Sequence, residues 1–178
     1  GSDPELAREV IVLGAHYDHV GFGEHGNSLS ALDLEVDPDA DRLHNGADDN
    51  ASGTAVLLEL AESPSTSSRR PRRTLVFQWY SGEELGLLGS QHWVAHPTVA
   101  FDRVVAMLNM DMVGRLTGST LAVGGIGTSA VFEPSLRKHA QILGLELLLD
   151  PVGAAPSDNA PFHQAGVPVL FYFTGLHE

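Results

Sequence analysis

Cysteine is absent from the chain, which excludes disulfides, thiolate metal sites and cysteine nucleophiles. Positive charge is scarce. Ten Lys and Arg stand against 23 Asp and Glu, giving a formal net charge of -13. That balance argues against a nucleic-acid backbone or an anionic membrane as partner. No apolar run reaches the length of a membrane span, and no charged-then-apolar leader opens the chain. What is present is ordinary globular material. Hydrophobic residues make up 43% and charged residues 19% of 178 positions, enough for one domain with a packed core and an argument against disorder. An acid-rich chain with 9 His is also rich in nitrogen and oxygen metal ligands.

Apolar runs alternate with amphipathic stretches along the chain. Strands are predicted at 10–15 (V-I-V-L-G-A), 74–80 (T-L-V-F-Q-W-Y), 103–108, 121–123, 145–149 and 167–173. Helices are predicted at 50–61, 85–96 and 129–143, with one helical turn at 159–164. Asp49, Asn50 or Ser52 can cap the first helix. Residues 16–48 read as loop and 63–73 as a turn. Strands separated by helices of this length imply crossover units and a largely parallel sheet. Fully apolar strands imply helices on both faces, a three-layer α/β arrangement.

In such sheets ligands bind outside the carboxyl ends of the strands. There the chain delivers polar groups: His16-Tyr17-Asp18 after the first strand, Ser81-Gly82-Glu83-Glu84 after the second, and Asn109-Met110-Asp111 after the third. Asp48-Asp49 stands where the first helix begins. Several carboxylates gathered in a few ångströms repel one another unless a cation lies among them. Histidine, Asp and Glu without Cys suit zinc or a similar divalent ion. One Asp can bridge two ions through its two oxygens, an arrangement suited to hydrolysis. In the His-x-Asp spacing, Asp18 is placed to accept a hydrogen bond from the ring nitrogen of His16 that faces away from metal. The neighbouring side chains Glu83 and Glu84 diverge, so one carboxylate can hold metal while the other serves as general base toward water.

Four motifs stand in order: His16-Tyr17-Asp18-His19, Gly46-Ala47-Asp48-Asp49-Asn50-Ala51-Ser52-Gly53, Glu83-Glu84-Leu85-Gly86-Leu87-Leu88-Gly89-Ser90 and Asn109-Met110-Asp111-Met112-Val113-Gly114. Ser157-Asp158 and Gly166-Val167-Pro168 follow. From about residue 10 to residue 178 the chain resembles the M28 zinc aminopeptidases, relatives of the bacterial leucyl aminopeptidases. The resemblance implies a mixed, mainly parallel sheet between helices, two zinc ions and a peptide substrate. His16 and Asp111 would hold one zinc, Asp49 would bridge, Glu84 would hold the other, and Glu83 would be the general base and acid. Asp18 would support His16. The family also supplies a last zinc-binding His from an Asp-Tyr-His segment shortly after the stretch that ends here at Glu178. The resemblance therefore implies one complete site (His16, Asp49, Asp111) and a second short of an imidazole. His177 occupies a position from which the family takes no ligand. Gly1-Ser2 reads as an expression scar, and residues 1–178 as a single catalytic domain shortened at both ends. Uncovered core strands at those ends would favour association with further copies.

Other features have plainer readings. Asp37, Asp39 and Asp41 alternate like a calcium loop but lack its glycine and closing Glu, so they read as a solvated acidic loop. Arg69, Arg70, Arg72 and Arg73 read as a solvated turn complementing a helix dipole. Gly124-Gly125-Ile126-Gly127 reads as a turn, Asp48 as a loop or cap residue, and Phe162, Phe171, Tyr172 and Phe173 as core. Two competing functions share the fold: a non-catalytic binding module and a glutaminyl-cyclase-like acyl transferase with a single zinc. The Gly-Ala-Asp-Asp-Asn and Glu-Glu motifs favour a peptidase, and carboxypeptidase relatives stay open. The preferred residue and the compartment are not written in the sequence.

Overall fold

The computed structural model describes residues 1–21, 43–66, 70–153 and 155–176, without the side chains of 64–66. The Asp37, Asp39 and Asp41 ladder, Arg69 and His177 lie outside the described residues. Among the described residues six strands form one sheet: β1 (Val10–His16), β2 (Thr74–Tyr80), β3 (Val104–Met110), β4 (Thr120–Gly124), β5 (Glu146–Asp150) and β6 (Val169–Phe173). Their order is β2-β1-β3-β6-β4-β5. β4 runs antiparallel to β6, and every other neighbouring pair is parallel. The alternating pattern implies a largely parallel sheet, and the mixed, mainly parallel sheet that the family resemblance implies is the one observed.

The faces of β1 sort by residue parity, as a period of two requires. Val10 and Val12 join a core with Tyr80, Val104, Met107, Phe162, Val167 and Val169. Leu13 and Ala15 join the opposite core with Leu57 and Met110, against which Ile11 also packs. The first core lies under α2 (Leu88–Ala95) and α4 (Asn159–Gln164), where Trp93 stacks on the fully buried Phe162 at 5.4 Å between ring centroids. The second lies under α1 (Gly53–Thr66), which contributes Leu57. A buried ring such as Phe162 contributes about 2–3 kcal/mol from area alone, so truncation there would loosen α4 from the sheet.

Several expectations are corrected. The predicted helix over 50–61 begins at Gly53 and runs past Ser63 to Thr66, because 47–52 forms a separate turn. The helix predicted from Leu85 starts at Leu88, since Gly86 (φ 107°) and Leu87 (φ 60°) take left-handed backbone that no helix continues. The apolar run of β5 is not covered on both faces. Its residues alternate between exposed and half-buried, and Leu148 is 64% exposed, because β5 is an edge strand. The basic turn also differs from its reading. Arg72 pairs with Asp3 at 2.7 Å and Arg73 with Glu9 at 2.6 Å, so these guanidinium groups pin the start of the chain beside β2.

The topology sets the site. β2, β1 and β3 are adjacent and parallel, with His16 opposite Tyr80 and Gly14 opposite Asn109. The carboxyl ends of three strands therefore emerge side by side, with that of β1 in the middle.

Candidate metal centre

His16 is the last residue of β1 and is buried. Its Nδ1 lies 3.0 Å from the main-chain oxygen of Asp18. A carbonyl only accepts, so Nδ1 carries the proton and Nε2 is left with a lone pair in the neutral ring. Nε2 stands 3.3 Å from Asp111 Oδ1 and 3.3 Å from Asp49 Oδ1. The expected role of Asp18 is thus corrected in its atom. Its carboxylate is 4.0 Å from Nδ1 and instead accepts the Glu83 main-chain N–H at 3.3 Å. The strand ends at His16, and past it the strict alternation that would align i with i+2 no longer holds.

Asp111 follows β3. Its second oxygen, Oδ2, accepts the Ser157 hydroxyl at 2.7 Å, and Ser157 accepts the Asn109 side-chain N–H at 2.8 Å. All three donors and acceptors are buried. The relay from Asn109 through Ser157 to Asp111 fixes the direction in which Oδ1 meets His16. Sequence reasoning gave Ser157 and Asn109 no role, because Ser157 lies 46 residues from Asp111. Ser157→Ala should weaken metal binding by about 10–100-fold, the usual effect of losing a group that orients a ligand, as read by competition with a chelator. Unchanged affinity would remove the relay from the account.

Asp49 sits in the 47–52 turn, held there by its neighbour. Asn50 Oδ1 accepts the Gly53 N–H at 2.9 Å and caps α1, while its side-chain N–H donates to the Met110 carbonyl at 2.9 Å. Gly53 permits this approach, since a Cβ there would overlap both the Asn50 amide and the Met110 oxygen. Asp48 faces away and accepts the Gly114 N–H at 2.7 Å. The two oxygens of Asp49 address different rings: Oδ1 faces His16, and Oδ2 lies 4.0 Å from His19 Nδ1.

Two donor groups result among the described residues. His16, Glu83 and Asp111 each offer an atom within 4.8 Å of the others, and so do His19, Asp49 and Glu84. The six residues predicted from sequence (His16, Asp18, Asp49, Glu83, Glu84 and Asp111) are brought into one region. His19 joins them, although sequence reasoning quoted it in a motif and gave it no function.

The electrostatics register crowded negative charge. Burial works against protonation of His16, but the Asp111 and Asp49 carboxylates outweigh it and push its pKa up to about 11. Burial raises Glu83 to about 8, opposed by His16 and reinforced by Asp111, Asp158 and Glu84. Burial and then Asp49 raise Glu84, with His19 opposing. A cation placed between the groups removes that conflict, and the donor set of imidazole and carboxylate fits zinc.

Asp158, fully buried beside the region, gives a test of this charge balance. Burial pushes its pKa up to about 6 from 3.8, against the influence of Ser90 and His16. The folded, metal-free protein therefore loses stability as pH rises from about 4 to 6, by about 3 kcal/mol in the limit. Asp158→Asn is expected to stabilise the metal-free protein at pH 7 and to leave it unchanged near pH 4, in urea unfolding at both pH values. Equal effects at both would contradict the assignment.

The sequence profile of peptidase family M28 matches residues 1–178. Leupeptin-inactivating enzyme 1 of Streptomyces exfoliatus is 30% identical over 176 residues, covering 98% of this chain and 34% of its own. A "probable leucine aminopeptidase" of Arthroderma otae is 30% identical over 178 residues, covering 97% of this chain and 45% of its own. Among solved structures, a zinc aminopeptidase from Bacillus subtilis superposes with a TM-score of 0.69 at 31% identity, over 94% of this chain and 36% of that one. The chain thus spans between about a third and a half of the length of these relatives.

Proposed function

The chain belongs to peptidase family M28, and from that premise we propose that it hydrolyses the N-terminal peptide bond of peptides with the aid of zinc. The observation that carries the proposal is the position of His16 Nε2, equidistant at 3.3 Å from Asp49 and Asp111, with Glu83 in the same group. His16, Asp111 and Asp49 would hold one ion. Asp49, through its other oxygen, and Glu84 would hold a second.

When bound, the metal supplies Lewis-acid polarisation of the scissile carbonyl and lowers the pKa of water toward neutrality. The remaining steps belong to side chains. Glu83 takes a proton from the attacking water and passes it to the departing amine. Its carboxyl, raised by burial to about 8 in the absence of a cation, returns to the ionised form beside positive charge. Asp18 positions it by accepting its main-chain N–H. The excess of carboxylates around the site favours a substrate that brings an ammonium group, as a free N-terminus does.

Zinc-loaded protein is expected to release the chromophore from leucine p-nitroanilide and to leave the N-acetylated anilide intact. Protein that carries zinc yet is inert on anilides of all residue classes would refute the aminopeptidase reading.

A further inference from the structure

We propose that Asp48 and Ser52 are positioning residues: they lock the segment after β3 onto the turn that carries Asp49, and so set the gap between Asp49 and Asp111. The assignment rests on the metal-binding reading above and adds to it what holds two of the ligands apart. Asp48 Oδ1 accepts the Gly114 N–H at 2.7 Å. Ser52 Oγ accepts the Val113 N–H at 3.0 Å and donates to the Asp48 main-chain oxygen at 2.6 Å. Between them Asn50 spans Asp111. Its side-chain N–H donates to the Met110 carbonyl at 2.9 Å, and its Oδ1 accepts the Met112 N–H at 3.3 Å. Residues 48, 50 and 52 thus bond to residues 110, 112, 113 and 114, while Asp49 faces His16. Each of the two carboxylates is flanked by residues that bond the flanks of the other.

The far side of the segment is fastened as well. The Met112 carbonyl accepts the Thr174 N–H at 3.0 Å and the Thr174 hydroxyl at 2.7 Å, and Thr174 Oγ1 accepts the Arg115 N–H at 3.3 Å. The main-chain N–H groups of 112 to 115 therefore all meet side-chain oxygens, from the 47–52 turn or from the residue after β6. Met112 takes φ 52°, left-handed backbone that a residue with a side chain adopts only where its surroundings impose it. Gly114 lets the two segments close, since a Cβ there would lie 2.7 Å from Asp48 Oδ1 and 2.9 Å from the Ser52 Cβ. Two carboxylates turned toward one imidazole repel each other. The lock withstands that repulsion, so the ligands stand in place before a cation arrives.

The test uses the whole chain in metal-free, zinc-loaded and cobalt-loaded form. Asp48→Ala and Ser52→Ala are each expected to bind zinc about 10–100-fold more weakly in competition with a chelator, the usual loss when a group that orients a ligand is removed. The visible bands of the cobalt-loaded variants should move, because a changed gap between the carboxylates alters the coordination geometry. Asp48→Asn keeps the acceptor oxygen and should restore both the affinity and the bands. Hydrogen exchange in the unaltered, metal-free chain needs no variant, and there the Val113 and Gly114 amides should exchange slowly. Rapid exchange of both amides would overturn the inference and leave the metal reading standing. So would native affinity and bands in Asp48→Ala, or an Asp48→Asn as impaired as Asp48→Ala. No ion bound by the unaltered protein would overturn both.

Discussion

Glu83→Gln is expected to lower kcat on leucine p-nitroanilide by about 10²–10⁴-fold, the range that a positioned proton-transfer group contributes, while the zinc content stays at its native value. Glu83 follows β2, so its backbone position is set by the same parallel register that places His16. Its main-chain N–H is fastened to Asp18. It lies in one group with His16 and Asp111, close enough to serve as either ligand or base, and the variant separates these roles. Glutamine keeps the size and a neutral oxygen but cannot accept and return a proton. Loss of activity with zinc retained identifies the base. Loss of zinc together with activity would make Glu83 a ligand, and unimpaired turnover would remove it from the chemistry.

Asp49→Ala carries the second large effect. The two oxygens of Asp49 face two different imidazoles, at 3.3 Å to His16 and 4.0 Å to His19. In the proposed ligand sets each ion loses an oxygen when Asp49 is removed, so both ions should be lost together. Zinc at 100 times its dissociation constant stabilises a protein by about 2.7 kcal/mol, or about 5–10 °C in Tm for a chain of this size. That zinc-dependent rise should be present in the unaltered protein and absent in Asp49→Ala by scanning calorimetry. Retention of one ion at native affinity would show that Asp49 serves a single site. Retention of the full thermal shift would contradict the role altogether.

Much of this architecture was legible in the chain. Apolar runs such as Leu75-Val76-Phe77 and Val10-Ile11-Val12 marked strands, and the polar residues at their ends marked the edge of the sheet where a ligand would lie. Carboxylates and one imidazole at three such ends were sufficient to expect a cation. What escaped was direction after the strand ends. Period-two reasoning placed the Asp18 carboxylate on His16, but the main-chain carbonyl of Asp18 is what meets the ring. The same limit hid His19, which is brought to Glu84 by a loop anchored at Gly21, His44 and Gly46 rather than by any repeat in its own segment. Ser157 was hidden for another reason. Its partner Asp111 belongs to a different strand end, and local periodicity carries no information on such long-range pairing. Edge position likewise overrode composition at β5, whose apolar Leu148 stays exposed.

The central claim is that divalent ions gather these groups. Crystals grown with zinc and measured on both sides of its absorption edge test it most directly. The account predicts two anomalous peaks, one on either side of Asp49, the first against His16 and Asp111 and the second against Glu84. An anomalous map without a peak beside Asp49 would contradict it.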